Sequence, residues 1–409
     1  MHAVGSVILE RVVNADGGGY QGKKISRNNG QEYKFMGYLN KGLLTVLGEV
    51  EVKRAYYYDA LNKDGCFPKD EILDIKGTTF SPGVRRMASR VGGYRSFELG
   101  HEDIKELAGI DVTAKEVERI SHKLGQEAAE FMNKEATAAL VDKVIPLKAV
   151  PKMYIGIDGT GVPMVKAELI NTPGKAEDGK AKTKEVKLGC VFTQTTVDKK
   201  GRPVRDEEST SYVGAIETAV DFAKRIYGEA KRRGVDRAQK VIVLGDGAAW
   251  IWNIADECFP WAIQIVDLYH ASEYYWKAAR AVLGNNPKKM NCWAEKRRKE
   301  LNGGDVNRVI QAIRKLSPST EHEKEICDKA AGYFQKNKER MKYDEFRRQG
   351  LFVGSGVVEA GCRTLIGQRL KQSGMHWTVN GANSIIALRC CFLSKRWENF
   401  WEARSCACA

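Results

Sequence analysis

No stretch of the 409-residue chain approaches the ~18 uncharged apolar residues that a membrane-spanning helix needs. The apolar run at the start, Met1 to Ala15, is broken by Glu10 and Arg11, so neither a membrane span nor a secretory leader is expected. Cysteine is also scarce. Ten in the whole chain are too few for a disulfide scaffold, and Cys390-Cys391 and Cys406-x-Cys408 lack the two-to-four spacing of metal-ligand pairs. A soluble protein of a reducing cytoplasm is the expectation. Tryptophan is missing before residue 250, where all eight begin, and no internal repeat or low-complexity segment is visible. What is present suffices for a sizeable core: 43% hydrophobic and 29% charged residues exclude disorder as the main state and suggest roughly two to four domains.

Charge is unevenly spread. Residues 1–270 carry 40 basic and 38 acidic groups, whereas residues 271–409 carry 26 and 14, which places nearly all of the net +14 in the last third. Such a basic third is either the footprint of a polyanion, most commonly nucleic acid, or a solubilising helical surface.

Residues 1–150 read as a separate small α+β module. Leu43 to Tyr58 alternates apolar and polar around a glycine, predicting a β hairpin. From Ser81 the pattern is helical: a segment Phe97 to Leu107, a turn at Gly109 to Val112, and a helix opened by a capping box of Thr113 and Glu116. Val117, Ile120 and Leu124 form its apolar face. Two helices joined this way are the pattern of a DNA-binding helix-turn-helix and equally the commonest helical packing unit.

After Pro151 strands alternate with helices. Met153 to Asp158, Val186 to Thr195 and Ser209 to Val213 read as strands and Ala215 to Gly234 as a helix. Lys240 to Leu244 is a strand, Ala248 to Cys258 a helix, and Ala262 to Val266 a strand ending at Asp267. That order predicts an α/β fold: a mixed sheet of the ribonuclease H-like kind covered by helices, its first part spanning 151–270. Residues 271–350 hold no β-rich run, only charged helices such as Pro287 to Leu301 and Asp305 to Leu316, with 19 basic against 11 acidic groups. They are read as an all-α insertion. Residues 351–409 return with a helix Ser355 to Lys371 and an apolar helix Ala382 to Ser394, completing the sheet domain.

Three carboxylates fall where a sheet enzyme would place them. Asp158 ends the first strand, Asp246 ends the fourth within Gly245-Asp246-Gly247, and Glu359 lies on a helix flanked by Gly354, Gly356 and Gly361. In open α/β sheets the site lies outside the carboxyl ends of parallel strands, so the two aspartates would face one crevice. Hard cations such as Mg²⁺ take oxygen ligands, and two of them ~3.5–4 Å apart can clamp the attacking and leaving oxygens of a phosphodiester. Taken singly, each aspartate is more simply a turn residue or helix cap. The glycines around Glu359 weaken a helix and so suggest close backbone approach, to the sheet or to a substrate.

At this point YIGIDGTGVPM (Tyr154 to Met164), VIVLGDGAAWIWN (Val241 to Asn253), VDLYHASEYYW (Val266 to Trp276) and GSGVVEAGCRTLIGQRLKQSGMHW (Gly354 to Trp377) carry a resemblance. Together they resemble the catalytic core of DDE transposases of bacterial insertion sequences, the ISKra-type family related to the Mutator-like superfamily, over about residues 40 to 400. The resemblance implies Asp158, Asp246 and Glu359 as a catalytic, metal-holding triad for Mg²⁺ or Mn²⁺, a helical insertion before the glutamate, and Asp267-x-x-His270 as a supporting Asp/His signature. It implies DNA as partner, both the element's terminal inverted repeats and the target, with a homo-oligomer acting on it in the nucleoid. One departure concerns zinc: between Tyr56 and Pro68 only Cys66 remains where such relatives carry cysteine pairs, which argues against a structural zinc. The short lead-in before the hairpin also suggests a chain truncated relative to them.

The implied activity is nicking of an element's end followed by attack of the freed 3′ hydroxyl on target DNA, two in-line phosphoryl transfers at one site. A ribonuclease H-like structure-specific nuclease and an inactive DNA-binding descendant are the alternatives. With strands ~4.8 Å apart, Asp267 on the fifth strand stands one strand too far for shared coordination, so its expected role is to orient His270 or touch DNA. Phosphate contacts are expected from Lys296, Arg297, Arg298 and Lys299, and from Arg363, Arg369 and Lys371. Gly354-x-Gly356 is no dinucleotide fingerprint, because Glu359 occupies the third glycine position. The tryptophans read as core and interface fillers.

Overall fold

The computed structural model describes residues 2–26, 31–141, 150–174, 179 and 181–408, with backbone only at His2 and 405–408. The junction at 142–149, where the N-terminal module is expected to end, and the side chains of Cys406 and Cys408 lie outside the described residues. Two compact units form: Met1–Ala129 together with Lys395–Ala409, and Glu130–Ser394.

In the first unit α1 (His2–Asn14) precedes a four-stranded antiparallel sheet, β1 (Lys24–Ser26), β2 (Glu32–Thr45), β3 (Gly48–Asp59) and β4 (Asp64–Cys66), in that spatial order. The alternation from Leu43 to Tyr58 is the tip and return strand of this hairpin. Leu43 pairs with Val50 around the turn, and both are buried with Val52 and Ile75. The strands run longer than the sequence pattern suggests, because β2 reaches back to Glu32. Then follow α2 (Pro68–Ile72), α3 (Pro82–Tyr94), α4 (Phe97–Ala108) and α5 (Ala114–Val141). Each start has a local reason. Ser81 and Ser96 cap α3 and α4, and Gly109 in the left-handed region ends α4. Thr113 Oγ1 accepts from Glu116 N at 3.3 Å. The Glu116 carboxylate turns instead to Arg119, so half of the expected capping box forms. Val117, Ile120 and Leu124 are buried as expected.

The second unit takes Glu130 onward. Its strands are β5 (Lys152–Pro163), β6 (Thr183–Gln194), the small hairpin β7 (Thr196–Val197) and β8 (Pro203–Val204), and β9 (Ser211–Ala215). After α6 (Ala219–Arg232) come β10 (Lys240–Gly245), α7 (Ala249–Cys258) and β11 (Ile263–Val266). Five strands make one mixed sheet ordered β11-β10-β5-β6-β9, parallel across β11, β10 and β5 and antiparallel on both sides of β6. The mixed α/β architecture read from the alternation of elements is the one observed. Central strands such as VIVL in β10 are buried on both faces, which is why they read as continuous apolar runs.

The chain then turns helical: α8 (Leu268–Leu283), α9 (Pro287–Asn302), α10 (Val306–Arg314), α11 (Glu321–Asn337) and α12 (Tyr343–Arg348). Next is α13 (Gly356–Gly361), a π turn over Cys362–Gly367, α14 (Gln368–Leu370) and α15 (Val379–Leu393). The single helix expected from Ser355 to Lys371 is thus interrupted by the π turn. The last helix, α16 (Trp397–Cys408), belongs to the first unit, not with the residues before it as the sequence suggests. It is tied there by Arg86 to Glu398 at 2.5 Å, by Arg404 to Asp74 at 2.9 Å, and by Arg404 to Glu127. Among the described residues no helix is long and apolar enough to cross a membrane.

Candidate active site

The pairing of β5 with β10 brings two of the three carboxylates together. Their parallel register runs from Lys152 opposite Lys240 to Gly156 opposite Leu244. Carried two residues further, it sets Asp158 opposite Asp246. The sequence suggests that Asp158 ends its strand, and it does not. β5 continues to Pro163 on its β6 side, where Asp158 faces Leu188, and has lost only its parallel neighbour. The carboxylate therefore stands where the sheet opens between β5 and β10. β11 lies beyond β10, so Asp267 is one strand further out, as expected.

Asp246 sits in the turn that leaves β10, its Oδ1 accepting from Ala248 N at 2.9 Å. Gly247 has φ +100°, and a Cβ there would meet the Tyr333 ring at 2.6 Å, so conformation and space both require glycine. Tyr333 Oη donates to the Asp246 carbonyl at 2.7 Å, and its ring stacks on Tyr274 with centroids 3.7 Å apart. One residue from α11 and one from α8 thereby hold the Asp246 turn.

Glu359 enters from α13. That helix lies close on the sheet at Gly361, where a Cβ would stand 2.7 Å from the Tyr212 ring of β9. The close approach that the glycines suggest is, at Gly361, to the sheet. Ser355 Oγ donates to Glu359 Oε1 at 2.6 Å, and Ser355 N donates to Asp267 Oδ2 at 2.5 Å. Asp267 Oδ1 accepts from His270 N, also at 2.5 Å, capping α8. Asp267 is fully buried, which corrects the expectation that it touches DNA: it ties the start of α8 to the segment before Glu359. It meets His270 through the backbone, while the His270 ring packs edge-on against Tyr274.

Electrostatics links the three acids. Burial holds the Asp158 carboxyl above the usual carboxylate range, and the Asp246 and Glu359 charges push the same way. The Cys362 thiol and the Gly159 amide, both hydrogen bonded to Asp158, pull in the opposite direction. The Cys362 thiol is itself pushed up by burial and by Asp158. Among the described residues, no group of three or more His, Cys, Asp or Glu side chains is gathered closely enough to hold a metal ion. Each carboxylate is turned toward its own donor: Gly159 N for Asp158, Ala248 N for Asp246, Ser355 Oγ for Glu359. Mutual repulsion favours that separation. The donor set is carboxylate oxygen throughout, which suits a hard cation such as Mg²⁺ or Mn²⁺ once those side chains turn inward.

The basic candidates divide. Lys296, Arg298, Lys299, Arg363 and Lys371 are exposed. Lys371 Nζ donates to Thr160 Oγ1 at 2.5 Å, two residues along β5 from Asp158. Arg297 and Arg369 are buried, which removes them as phosphate contacts. Arg297 pairs with Glu300 at 2.6 Å and lies over Trp293. Arg369 lies over Trp377, and burial beside Arg389 lowers its pKa to about 10.

Three residues of the site go beyond the sequence reading. Ser355 and Cys362 stand four before and three after Glu359, and that helical spacing is a readable signal. Tyr333 comes from α11, and no local pattern connects it with Asp246.

The fold and site together define a mixed α/β protein with two aspartates facing each other where its parallel strands β5 and β10 part, and a glutamate near them. No family model matches the chain. It is similar to two UPF0236 proteins of Caldanaerobacter subterraneus subsp. tengcongensis, each 24% identical over 358 residues, 85% of this chain. The matches span 67% and 63% of those relatives' own lengths. A third UPF0236 protein of that organism, 24% identical over 360 residues, covers 85% of this chain and 67% of its own length. Its name joins eleven locus designations.

Proposed function

We propose that the chain is a DDE transposase that cuts and joins DNA by metal-dependent phosphoryl transfer, with Asp158, Asp246 and Glu359 as the triad. The observation that carries this reading is that Asp158 and Asp246 come opposite each other where β5 and β10 part, with Glu359 near enough for Asp158 to feel the charges of both. The sheet order supports it. With only β6 antiparallel, β9-β6-β5-β10-β11 is the order ribonuclease H-like sheets use, and the helices between Asp246 and Glu359 stand where that superfamily places its insertion. A relative's name that joins eleven loci of one genome also fits a sequence present in several copies, as mobile elements are.

Asp158, Asp246 and Glu359 would hold two divalent cations, which when bound stabilise the attacking and leaving oxygens of the phosphodiester. The other roles fall to the chain's own residues. Tyr333 fixes the turn that presents Asp246, Ser355 orients Glu359, and Cys362 holds its proton against Asp158. Lys371 and Arg363 lie on the same segment as Glu359 and face solvent, where a DNA phosphate can meet them. A homo-oligomer acting on terminal repeats in the cytoplasm is the assembly this reading entails.

Asp158→Ala, Asp246→Ala and Glu359→Ala should each abolish Mg²⁺-dependent cutting of DNA carrying the element's ends, while DNA binding stays near wild type. Asp267→Asn should slow turnover without abolishing metal binding, because it acts through the segment before Glu359. Undiminished cutting by any one of the three alanine variants would remove that residue from the triad.

A further inference from the structure

A cavity of about 740 Å³, to which Gly354, Gly356 and Val357 of the segment before Glu359 contribute, includes none of the three carboxylates in its lining. Its volume falls within the ~300–1,000 Å³ range of ligand pockets. Leu268, Phe352 and Val357 supply apolar lining, and Tyr269 is part of the same lining. Tyr269 is 73% exposed although it sits between buried Leu268 and half-buried His270 at the start of α8. Its ring is set against the backbone at Gly354, where a Cβ would stand 3.1 Å from a ring carbon. One side of the ring is therefore backed by protein while much of its surface is open. At Gly356 a Cβ would meet nothing within 4 Å, so the backbone leading into Glu359 leaves open space in the same lining.

The charged residues of the lining are Lys200, Arg202 and Arg347, with Asp198. Arg202 is paired with Asp198 at 2.7 Å, and Arg347 is held by the neutral Asn302 at 2.6 Å, so the lining keeps a positive balance at Lys200 and Arg347.

We infer that this cavity takes an unpaired nucleotide of the DNA substrate, its base stacked on Tyr269 and its phosphate toward Lys200 and Arg347. This deepens the proposed function and rests on it. Within a duplex both faces of a base are covered by its neighbours, so only a base displaced from the stack can lie on the ring. A tyrosine face takes any base, because every base offers a π surface. The apolar lining accepts the base, and Lys200 and Arg347 of the same lining accept the phosphate.

The test uses the full chain without divalent cation, so that no cut is needed. Short strands carrying 2-aminopurine are bound as single strands, as duplexes with one unpaired 2-aminopurine, and as full duplexes. Wild type and Tyr269→Phe should quench the unpaired fluorophore and bind alike. Tyr269→Ala should lose the quenching and weaken binding of the unpaired substrates on the order of tenfold, with full duplex binding unchanged. Unaltered quenching and affinity in Tyr269→Ala, or an equal loss on full duplex, would overturn the inference. These readouts do not depend on catalysis. Absence of cutting by wild type with quenching intact would count against the transposase reading alone, and normal cutting with no Tyr269 effect would count against the pocket alone.

Discussion

Asp158 is the residue on which the site's electrostatics converge. A carboxyl whose folded pKa lies above its unfolded value binds its proton more tightly when folded. Stability therefore falls as pH rises from the unfolded pKa, near 3.8, through the raised folded one. Asp158→Asn removes that penalty. Without divalent cations it should raise Tm by a few degrees at neutral pH and make no difference below the ordinary carboxylate range, as thermal unfolding across a pH series will show. A lower Tm at pH 7 would contradict the burial argument. Ser355 makes a separable case. Ser355→Ala frees Glu359 and should cost about 1 kcal/mol of stability or less. Its turnover of cut DNA should fall roughly tenfold at unchanged KM, with Ser355→Thr recovering most of the loss.

At the scale of elements, the Asp246 turn is gripped by α8 and α11. Gly247→Ala meets both a left-handed backbone and the Tyr333 ring, and should destabilise by ~1–3 kcal/mol. Tyr333→Ala relieves the steric part only, so a double-mutant cycle should show positive coupling between the two positions, and simple additivity would refute the grip. This hydrogen bond spans 87 positions in sequence. It illustrates which parts of the site are legible and which are not. The strands and their order can be read because buried runs such as VIVL and the helix caps are local signals. That Asp158 lies within β5 cannot, since Gly159-Thr160-Gly161 reads as a loop and is kept extended only by its pairing with β6. Burial of Arg297 and Arg369 is equally hidden, because a charge count is blind to the tryptophans beneath them. Asp267 is legible as set apart from the triad, but its bond to Ser355 N joins segments 88 residues apart and leaves no local trace.

For the molecule as a whole, the basic last third makes a prediction about salt. Every phosphate-binding charge removed should reduce the slope of log affinity against log salt by ~0.9 on duplex DNA. Neutralising Lys296, Lys299, Arg363 and Lys371 together should flatten the slope measurably in a binding titration. Arg297→Ala and Arg369→Ala should lower Tm and leave the slope as it was. A slope unchanged by the first set would make the charge merely solubilising. A last consequence concerns the order of events during synthesis. α16 belongs to a unit whose other described residues precede the second unit in the chain, so the second unit is inserted into the sequence of the first. At ~5–20 residues per second, the early sheet and helices wait on the order of tens of seconds for Trp397, Phe400 and Trp401 to arrive. Throughout that interval Arg85 alone of the two arginines is available to Asp74, and the inserted unit is free to fold first although it is translated second.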